Sequence, residues 1–191
     1  HFKGKYSNNF DLKNNLFKIG VVNQTTMLAS ETKEIVDLFS SSFKAINKID
    51  NKNRIIANTR DTLCYATNEN QESTLELLKN NTDLTIIVGG YNSSNTTHLA
   101  ELAEINNKTY FINSEKKISL SNHIKHFDIK TKKEITTLNF LPNKKCKIIL
   151  TSGASCPDVV LEKIMFKIAK ILNQEINRNY ILEKFEMNYT N

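Results

Sequence analysis

Short β-type runs alternate with stretches of helical period along this chain, and that alternation limits the fold more than any other feature. Strands separated by amphipathic helices pair in parallel through crossovers, so the pattern specifies an α/β sheet rather than hairpins or a bundle. Leu16 to Val22 reads as a strand, and Ser30 then offers an N-cap with Lys33 three residues on, half of a capping box. Ile35, Leu38, Phe39 and Phe43 follow at helical spacing. An Asn- and Lys-rich turn, Asn47 to Asn53, leads to the short run Arg54 to Ala57 and to the polar-flanked segment Asp61 to Thr67. Asn68 to Lys79 continues as a helix with Leu75 and Leu78 toward the core. Leu84 to Val88 is the most β-like run, Thr96 to Ile105 a helix, and Thr109 to Ile112 the next strand.

Residues 113–143 have no clean period; they hold His123, His126 and many lysines, and read as a helix plus an edge strand. Lys145 to Leu150 is a strand running into Thr151-Ser152-Gly153-Ala154-Ser155. Pro157 suits a first helical position, and Val160, Ile164, Ile168 and Ile171 form a stripe at helical spacing. Asn173, Asn177 and Asn179 mark the end of that helix, because Asn is the usual substitute for Gly there. Tyr180 to Phe185 reads as a last strand. With 191 residues the chain can bury a real core. It has no apolar run of roughly 18 residues and no charged-then-apolar leader, so a soluble protein without a membrane partner is expected.

The formal charge of +6 raises a nucleic-acid reading, which its make-up opposes. Of 26 cations 23 are Lys and 3 are Arg (Arg54, Arg60, Arg178), whereas base and phosphate recognition favours the Arg fork. The 26 Asn, with abundant Lys and Ile, fit the drift of an AT-rich genome, so the charge reads as a solvated surface with no nucleic-acid partner. That drift leaves only 5 glycines, and a glycine that survives it is expected where a side chain cannot be tolerated.

Ligand sites in open α/β sheets form in the loops at the carboxyl ends of strands. Here those loops carry Asn23-Gln24-Thr25-Thr26, Asn92-Ser93-Ser94-Asn95 and Thr151 to Ser155, and three of the five glycines, Gly89, Gly90 and Gly153, lie in the last two. Each loop opens a helix, whose first-turn N–H groups and dipole suit an anion; hydroxyls and amides can complete a shell around phosphate oxygens. Ser, Thr and Asn are also good helix caps, and one loop alone would be read that way. Three together point to a polar, anionic ligand. Neither GxxxxGK[ST] nor GxGxxG is present.

Cys64, Cys146 and Cys156 are spaced 82 and 10 apart, which suggests neither a zinc site nor a disulfide framework. Cys146 reads as a core thiol within a strand, and Cys156 as either a site-loop or a small helix-start residue. Cys64 lies in a polar loop at a strand end, where a thiolate can reach a metal; its spacing leaves that open. His123 and His126 are three apart, on one side of a helix if the segment is helical, and His98 reads as an exposed first-turn residue. None forms a metal-spaced pair with a carboxylate.

Four segments, Asn23 to Met27, Asp61 to Gln71, Val88 to Asn95 and Thr151 to Ser155, resemble in order those of the 4-hydroxy-3-methylbut-2-enyl diphosphate reductase family, also called LytB or IspH. The resemblance covers nearly the whole chain and is to the carboxyl-terminal part of that enzyme. It implies stacked α/β lobes with small, mostly parallel sheets, part of a three-lobed pseudo-threefold architecture. Residues 1–57 would then be the remainder of a middle lobe, 58–175 the carboxyl-terminal lobe and 176–191 a tail. The implied activity is reductive removal of a hydroxyl from an allylic diphosphate, giving isopentenyl and dimethylallyl diphosphates at the end of the non-mevalonate isoprenoid pathway. The implied cofactor is a 4Fe-4S iron-sulfur cluster held by three cysteines, of which Cys64 matches the third; thiolates are what such a cluster requires. Ser93, Ser94, Asn95 and Ser155 match the diphosphate-binding positions, Thr25 the threonine near the substrate hydroxyl, and Thr26 is its neighbour. The side chains of Ser93, Ser94, Asn95, Ser155 and Cys64 are expected to converge on one cleft. The electron donor would be a ferredoxin or flavodoxin, in a bacterial cytoplasm or in a plastid such as the apicoplast.

The family's other two cluster cysteines, its substrate-binding histidines and its proton-donor glutamate belong to segments upstream of those seen here, and Cys146 and Cys156 do not match them. With His1 as its first residue the chain reads as a piece of a longer protein, expected to lack reductase activity alone. The alternative is a non-catalytic α/β module that binds a phosphorylated ligand through its hydroxyl loops. An iron-sulfur absorption band separates the two.

Overall fold

A computed structural model describes residues 3–57 and 64–177, and the chain divides into two units, His1–Glu69 and Asn70–Asn191. The first holds α1 (Leu12–Asn15), β1 (Lys18–Ile19), α2 (Ala29–Asp50) and β2 (Ile55–Ile56). β1 and β2 pair in parallel, Lys18 opposite Ile55 and Ile19 opposite Ile56, so α2 is their crossover. The strand expected over Leu16 to Val22 shrinks to two residues, and Ser30 lies inside α2, whose N-cap is Leu28.

The turn expected at Asn47 to Asn53 starts later, because Asn47 and Asp50 bind the chain that returns past them. The Asn47 amide accepts from the Arg54 N–H and donates to the Arg54 carbonyl, both at 3.0 Å. The buried Arg54 guanidinium forks onto Asp50 at 2.6 and 2.9 Å, and its hydrogen bonds hold the Asp50 carboxyl below the usual carboxylate range. Asn51, left-handed at φ 54°, then ends α2. Of the apolar residues on α2, Phe43 is buried, whereas Ile35, Leu38 and Phe39 stay exposed.

α3 (Tyr65–Leu78) spans the boundary between the units. The second unit continues with β3 (Leu84–Val88), α4 (Ser94–Glu104), β4 (Thr109–Ile112), a 3-10 turn (Glu115–Lys117), β5 (Ile118–Ser119), β6 (His123–Asp128), β7 (Lys133–Leu138), β8 (Ile148–Ser152) and α5 (Asp158–Ile171). The sheet order is β5-β6-β4-β3-β8, with β7 also on β6. β4, β3 and β8 are parallel, which upholds the α/β expectation. Being central, β3 needs apolar side chains on both faces, and all five of its residues are buried. Leu84, Ile86 and Val88 join Tyr110, Ile112, Ile124, Phe140, Ile164 and Ile168 in one cluster; Ile87 points the other way, to Leu99, Ala100, Ala103 and Phe111.

The predicted α5 stripe holds, with Ile164 and Ile168 in the core, Val160 and Ile171 against it, and Asn173 left-handed just beyond the helix. Pro157 is the N-cap rather than the first helical residue. Leu78 packs on the second cluster as expected, but Leu75 is exposed. β8 begins at Ile148, so Cys146 is a half-buried loop residue and not a core thiol in a strand. The strand expected over Tyr180 to Phe185 lies outside the described residues. Among the described residues no helix is long and apolar enough to cross a membrane.

Residues 113–143 form no helix beyond the 3-10 turn; they add an antiparallel edge, β5-β6-β7. Buried Ile124 and His126 alternate with exposed Lys125, a period-two signal hidden because histidine occupies a core position. His123 and His126 therefore lie on opposite faces of a strand. The β6–β7 connection is fixed by Asp128, whose carboxylate accepts from the N–H groups of Lys130 (2.8 Å) and Thr131 (3.1 Å).

Burial pushes the His126 imidazole below its ordinary value, with Nε2 3.0 Å from Thr137 Oγ1 and the Tyr110 ring edge-on at 4.9 Å. A folded value below the unfolded one of about 6.5 means that this contribution is present above that pH and is lost as pH falls through the folded value. The melting temperature is thus expected to drop between pH 7 and 5, and to drop less in His126→Gln. Equal slopes in the two proteins would contradict this.

Candidate functional site

The loops after β3 and β8 meet at one buried side chain, Thr96. A Cβ placed on Gly89 would lie 2.5 Å from Thr96 Oγ1, and one on Gly153 would lie 2.1 Å from it. Thr96 is fully buried and β-branched, so it cannot swing away from either glycine. The backbone completes the junction, since Gly153 N–H donates to the Val88 carbonyl at 2.9 Å and Gly89 N–H to that of Ile112 at 3.0 Å. The two glycines are explained by close approach, as their survival in a glycine-poor chain suggested.

This junction sets out the first turn of α4. Gly90 to Ser93 is a turn closed by the Ser93 N–H to the Gly90 carbonyl at 3.0 Å. Ser93 is the N-cap: its Oγ accepts from the Thr96 N–H at 3.3 Å and the Thr96 hydroxyl at 3.1 Å. Both acceptor positions are thereby used while its own O–H remains a donor for an incoming oxygen. Ser94 is half-buried at the helix start. Asn95 is 5% exposed, and its buried Oδ1 has no hydrogen-bond partner. An orphaned buried amide oxygen costs about 1–3 kcal/mol. The same amide carries two N–H donors, the group an anionic oxygen needs.

The Cys156 N–H donates to the Gly153 carbonyl at 2.8 Å, which places exposed Ser155 at the corner of a second turn. α3 supports that loop from behind: Asn70 Nδ2 donates to the Ser152 carbonyl at 2.6 Å, and Thr74 Oγ1 lies 3.4 Å from Thr151 Oγ1. Asn70, Thr74 and Thr96 are positioning residues that the sequence reading missed. A signal was present, because Thr67, Gln71 and Thr74, all buried, form a polar stripe at i, i+4 and i+7 on α3. A search for apolar periodicity passes over it.

In the first unit, Gln24 to Met27 is a turn closed at 3.0 Å, with exposed Thr25 and half-buried Thr26 at its corners. The Thr25 carbonyl accepts from the Cys64 N–H at 3.3 Å, so these two predicted residues do meet. Cys64 immediately precedes α3 and is exposed. The backbone N–H and then the hydroxyl of Thr67 hold its thiol below the ordinary value. Cys146 and Cys156 differ, since burial pushes both thiols up. Of the three thiols, Cys64 is the one that is both exposed and held low. The described residues contain no group of three His, Cys, Asp or Glu able to hold a metal ion. His98 is half-buried beside Glu101 at 3.0 Å.

The sequence model of the LytB protein family matches residues 3–169. The 4-hydroxy-3-methylbut-2-enyl diphosphate reductase of Gloeothece citriformis is 42% identical over 172 residues, covering 89% of this chain and 42% of that protein. That of Rippkaea orientalis is 39% identical over 181 residues, covering 93% and 44%. The chain therefore spans less than half the length of these curated relatives. A solved structure of (E)-4-hydroxy-3-methyl-but-2-enyl diphosphate reductase, described as the terminal enzyme of the non-mevalonate pathway, is 26% identical, with a TM-score of 0.43 over 81% of this chain and 44% of that one. On the breadth of the family match, which takes in all four sequence motifs in order, the chain belongs to the LytB protein family.

Proposed function

We propose that this chain is the substrate-diphosphate-binding half of a 4-hydroxy-3-methylbut-2-enyl diphosphate reductase of the non-mevalonate pathway. The observation that carries the reading is the junction at Thr96, where Gly89 and Gly153 bring two polar loops together beside the first turn of α4. Ser93 O–H, the Asn95 amide and the first-turn N–H groups are donors gathered at the N-terminal end of one helix, and they suit diphosphate oxygens. Ser94 and Ser155 complete the set. Thr25 and Thr26 orient the substrate hydroxyl. In the proposed organisation, 1–57 is the remainder of a middle lobe, 58–175 the carboxyl-terminal lobe and 176–191 a tail within a three-lobed architecture.

Cys64 fits as one thiolate ligand of a 4Fe-4S cluster, because it is exposed and its thiol is held low. When bound, such a cluster supplies electrons and a Lewis-acidic iron for cleavage of the allylic C–O bond. The remaining ligands and the proton donor would come from outside the residues described. A ferredoxin or flavodoxin would supply the electrons. The proposed location is a bacterial cytoplasm or a plastid, apicoplast included, and the cyanobacterial source of the relatives agrees with either.

Calorimetric titration of the chain with 4-hydroxy-3-methylbut-2-enyl diphosphate, repeated in saturating inorganic pyrophosphate, tests the reading. Saturable binding that pyrophosphate abolishes is expected. No binding of either compound would overturn it.

A further inference from the structure

The loop that carries Ser93 is tied to the antiparallel edge of the sheet, a segment for which the proposed activity has no other use. Tyr91 occupies the first corner of the Gly90–Ser93 turn, and its hydroxyl donates to Glu134 Oε1 at 3.0 Å. Its ring stacks on Phe127 at 4.6 Å between centroids and meets the edge of Phe111 at 5.2 Å. Phe127 and Glu134 face each other across the β6–β7 ladder, so one rung of the hairpin supplies both the stacking surface and the acceptor. Glu134 is itself held from two sides. Lys117 donates to Oε1 and Lys125 to Oε2, the latter at 2.9 Å, while Lys117 Nζ lies 6.0 Å from the Tyr91 ring centroid.

We propose that the β6–β7 hairpin positions the diphosphate loop: Glu134 fixes Tyr91, and through it the turn that delivers Ser93 and Asn95 is set before the ligand arrives. The proposal rests on the diphosphate reading of those residues. The protonation states support it, since Lys117 first, and then Lys125 and Tyr91, draw the Glu134 carboxyl down to about 2, whereas burial and Glu134 push the Tyr91 phenol above its ordinary value. Acceptor and donor therefore persist across the whole neutral range. A pre-set loop spends no binding energy on its own ordering, and this is how a residue remote from the ligand raises affinity. Tyr91 and Glu134 are positioning residues, not catalytic ones.

Tyr91→Phe isolates the effect, because the ring keeps its stacking on Phe127 and Glu134 keeps both lysines. Pyrophosphate affinity is expected to fall about threefold to tenfold, the loss of one hydrogen bond, with little change in melting temperature. Glu134→Ala should weaken binding to a similar degree, and the double variant no further than the worse single, as coupled residues behave. Hydrogen exchange of the Ser93 amide, whose bond to Gly90 closes the turn, should quicken in Tyr91→Phe. Wild-type affinity in Tyr91→Phe, or additive losses in the double variant, would overturn the proposal. Were the unaltered chain itself not to bind pyrophosphate, the diphosphate reading would fail on its own, and the Ser93 exchange rate would decide the positioning role: faster in Tyr91→Phe supports it, unchanged refutes it.

Discussion

Gly153→Ala is expected to lower the melting temperature by roughly 3–10 °C and to leave the chain without measurable pyrophosphate binding. The added methyl would sit 2.1 Å from Thr96 Oγ1, a distance no real Cβ contact tolerates. Thr96 cannot yield, since it is fully buried and its hydroxyl is engaged with Ser93. Relief must come from parting the β8 loop from the first turn of α4, and overpacking of that kind costs about 1–3 kcal/mol. The parting would disturb the bond from Gly153 N–H to the Val88 carbonyl and displace Ser93, the N-cap. If the clash is the cause, adding Thr96→Ala should restore much of the lost stability, because Oγ1 is then gone and the nearest remaining Thr96 atom is Cβ at 3.2 Å. Binding should not recover, for Ser93 then keeps the Thr96 N–H but has lost the Thr96 hydroxyl, one of its two partners. A Gly153→Ala protein that melts like the unaltered chain would show that the two loops are not pressed together at Thr96.

The second large effect is chemical. At pH 7 Cys64 should react with iodoacetamide at least about tenfold faster than Cys146 or Cys156, as read by peptide mass mapping over time. The thiolate is the nucleophile, and the three thiols are displaced in opposite directions: Thr67 holds Cys64 low, whereas burial raises the other two. Exposure adds to the contrast, because Cys64 is open and the others are half-buried. Thr67→Val deletes the hydroxyl contribution and keeps the N–H, so it should slow Cys64 labelling without stopping it. In a protein that assembles the iron-sulfur centre, Cys64→Ser should abolish its visible absorption. Equal labelling of all three cysteines would remove the basis for singling out Cys64 as a thiolate ligand.

How far the sequence was legible depended on what each segment buries. β3 and β4 were bounded correctly because apolar side chains face both sides of each strand, in β-branched and aromatic runs of five and four residues that are too short for a helix. α5 was legible from its stripe and from Asn173 beyond its end. β6 and β7 were not, because the period-two signal runs through His126, Lys125 and Glu134, polar residues satisfied by cross-strand partners. The end of α2 was misplaced for a related reason: Asn47 and Asp50 look like turn formers, but they are helical residues that bind Arg54. At the candidate site the polar loops and their glycines were visible in the sequence. What stayed hidden was the support behind them, Thr96, Asn70, Thr74 and Tyr91, whose roles come from contacts between segments far apart in the chain.

The central claim is that the first turn of α4 and the loops pressed against it bind the diphosphate, and Asn95 tests it most directly. Its buried amide oxygen has no partner, a cost to the ligand-free chain, and its NH₂ is the donor that the account assigns to a phosphate oxygen. Isothermal titration of the unaltered chain and of Asn95→Ala with inorganic pyrophosphate, alongside thermal melts of both, separates these contributions. The account predicts affinity weaker by roughly tenfold to a hundredfold in Asn95→Ala, as for a lost charge-assisted bond of about 1–3 kcal/mol, with a melting temperature equal to or above that of the unaltered chain. Equal affinity in the two proteins would contradict it.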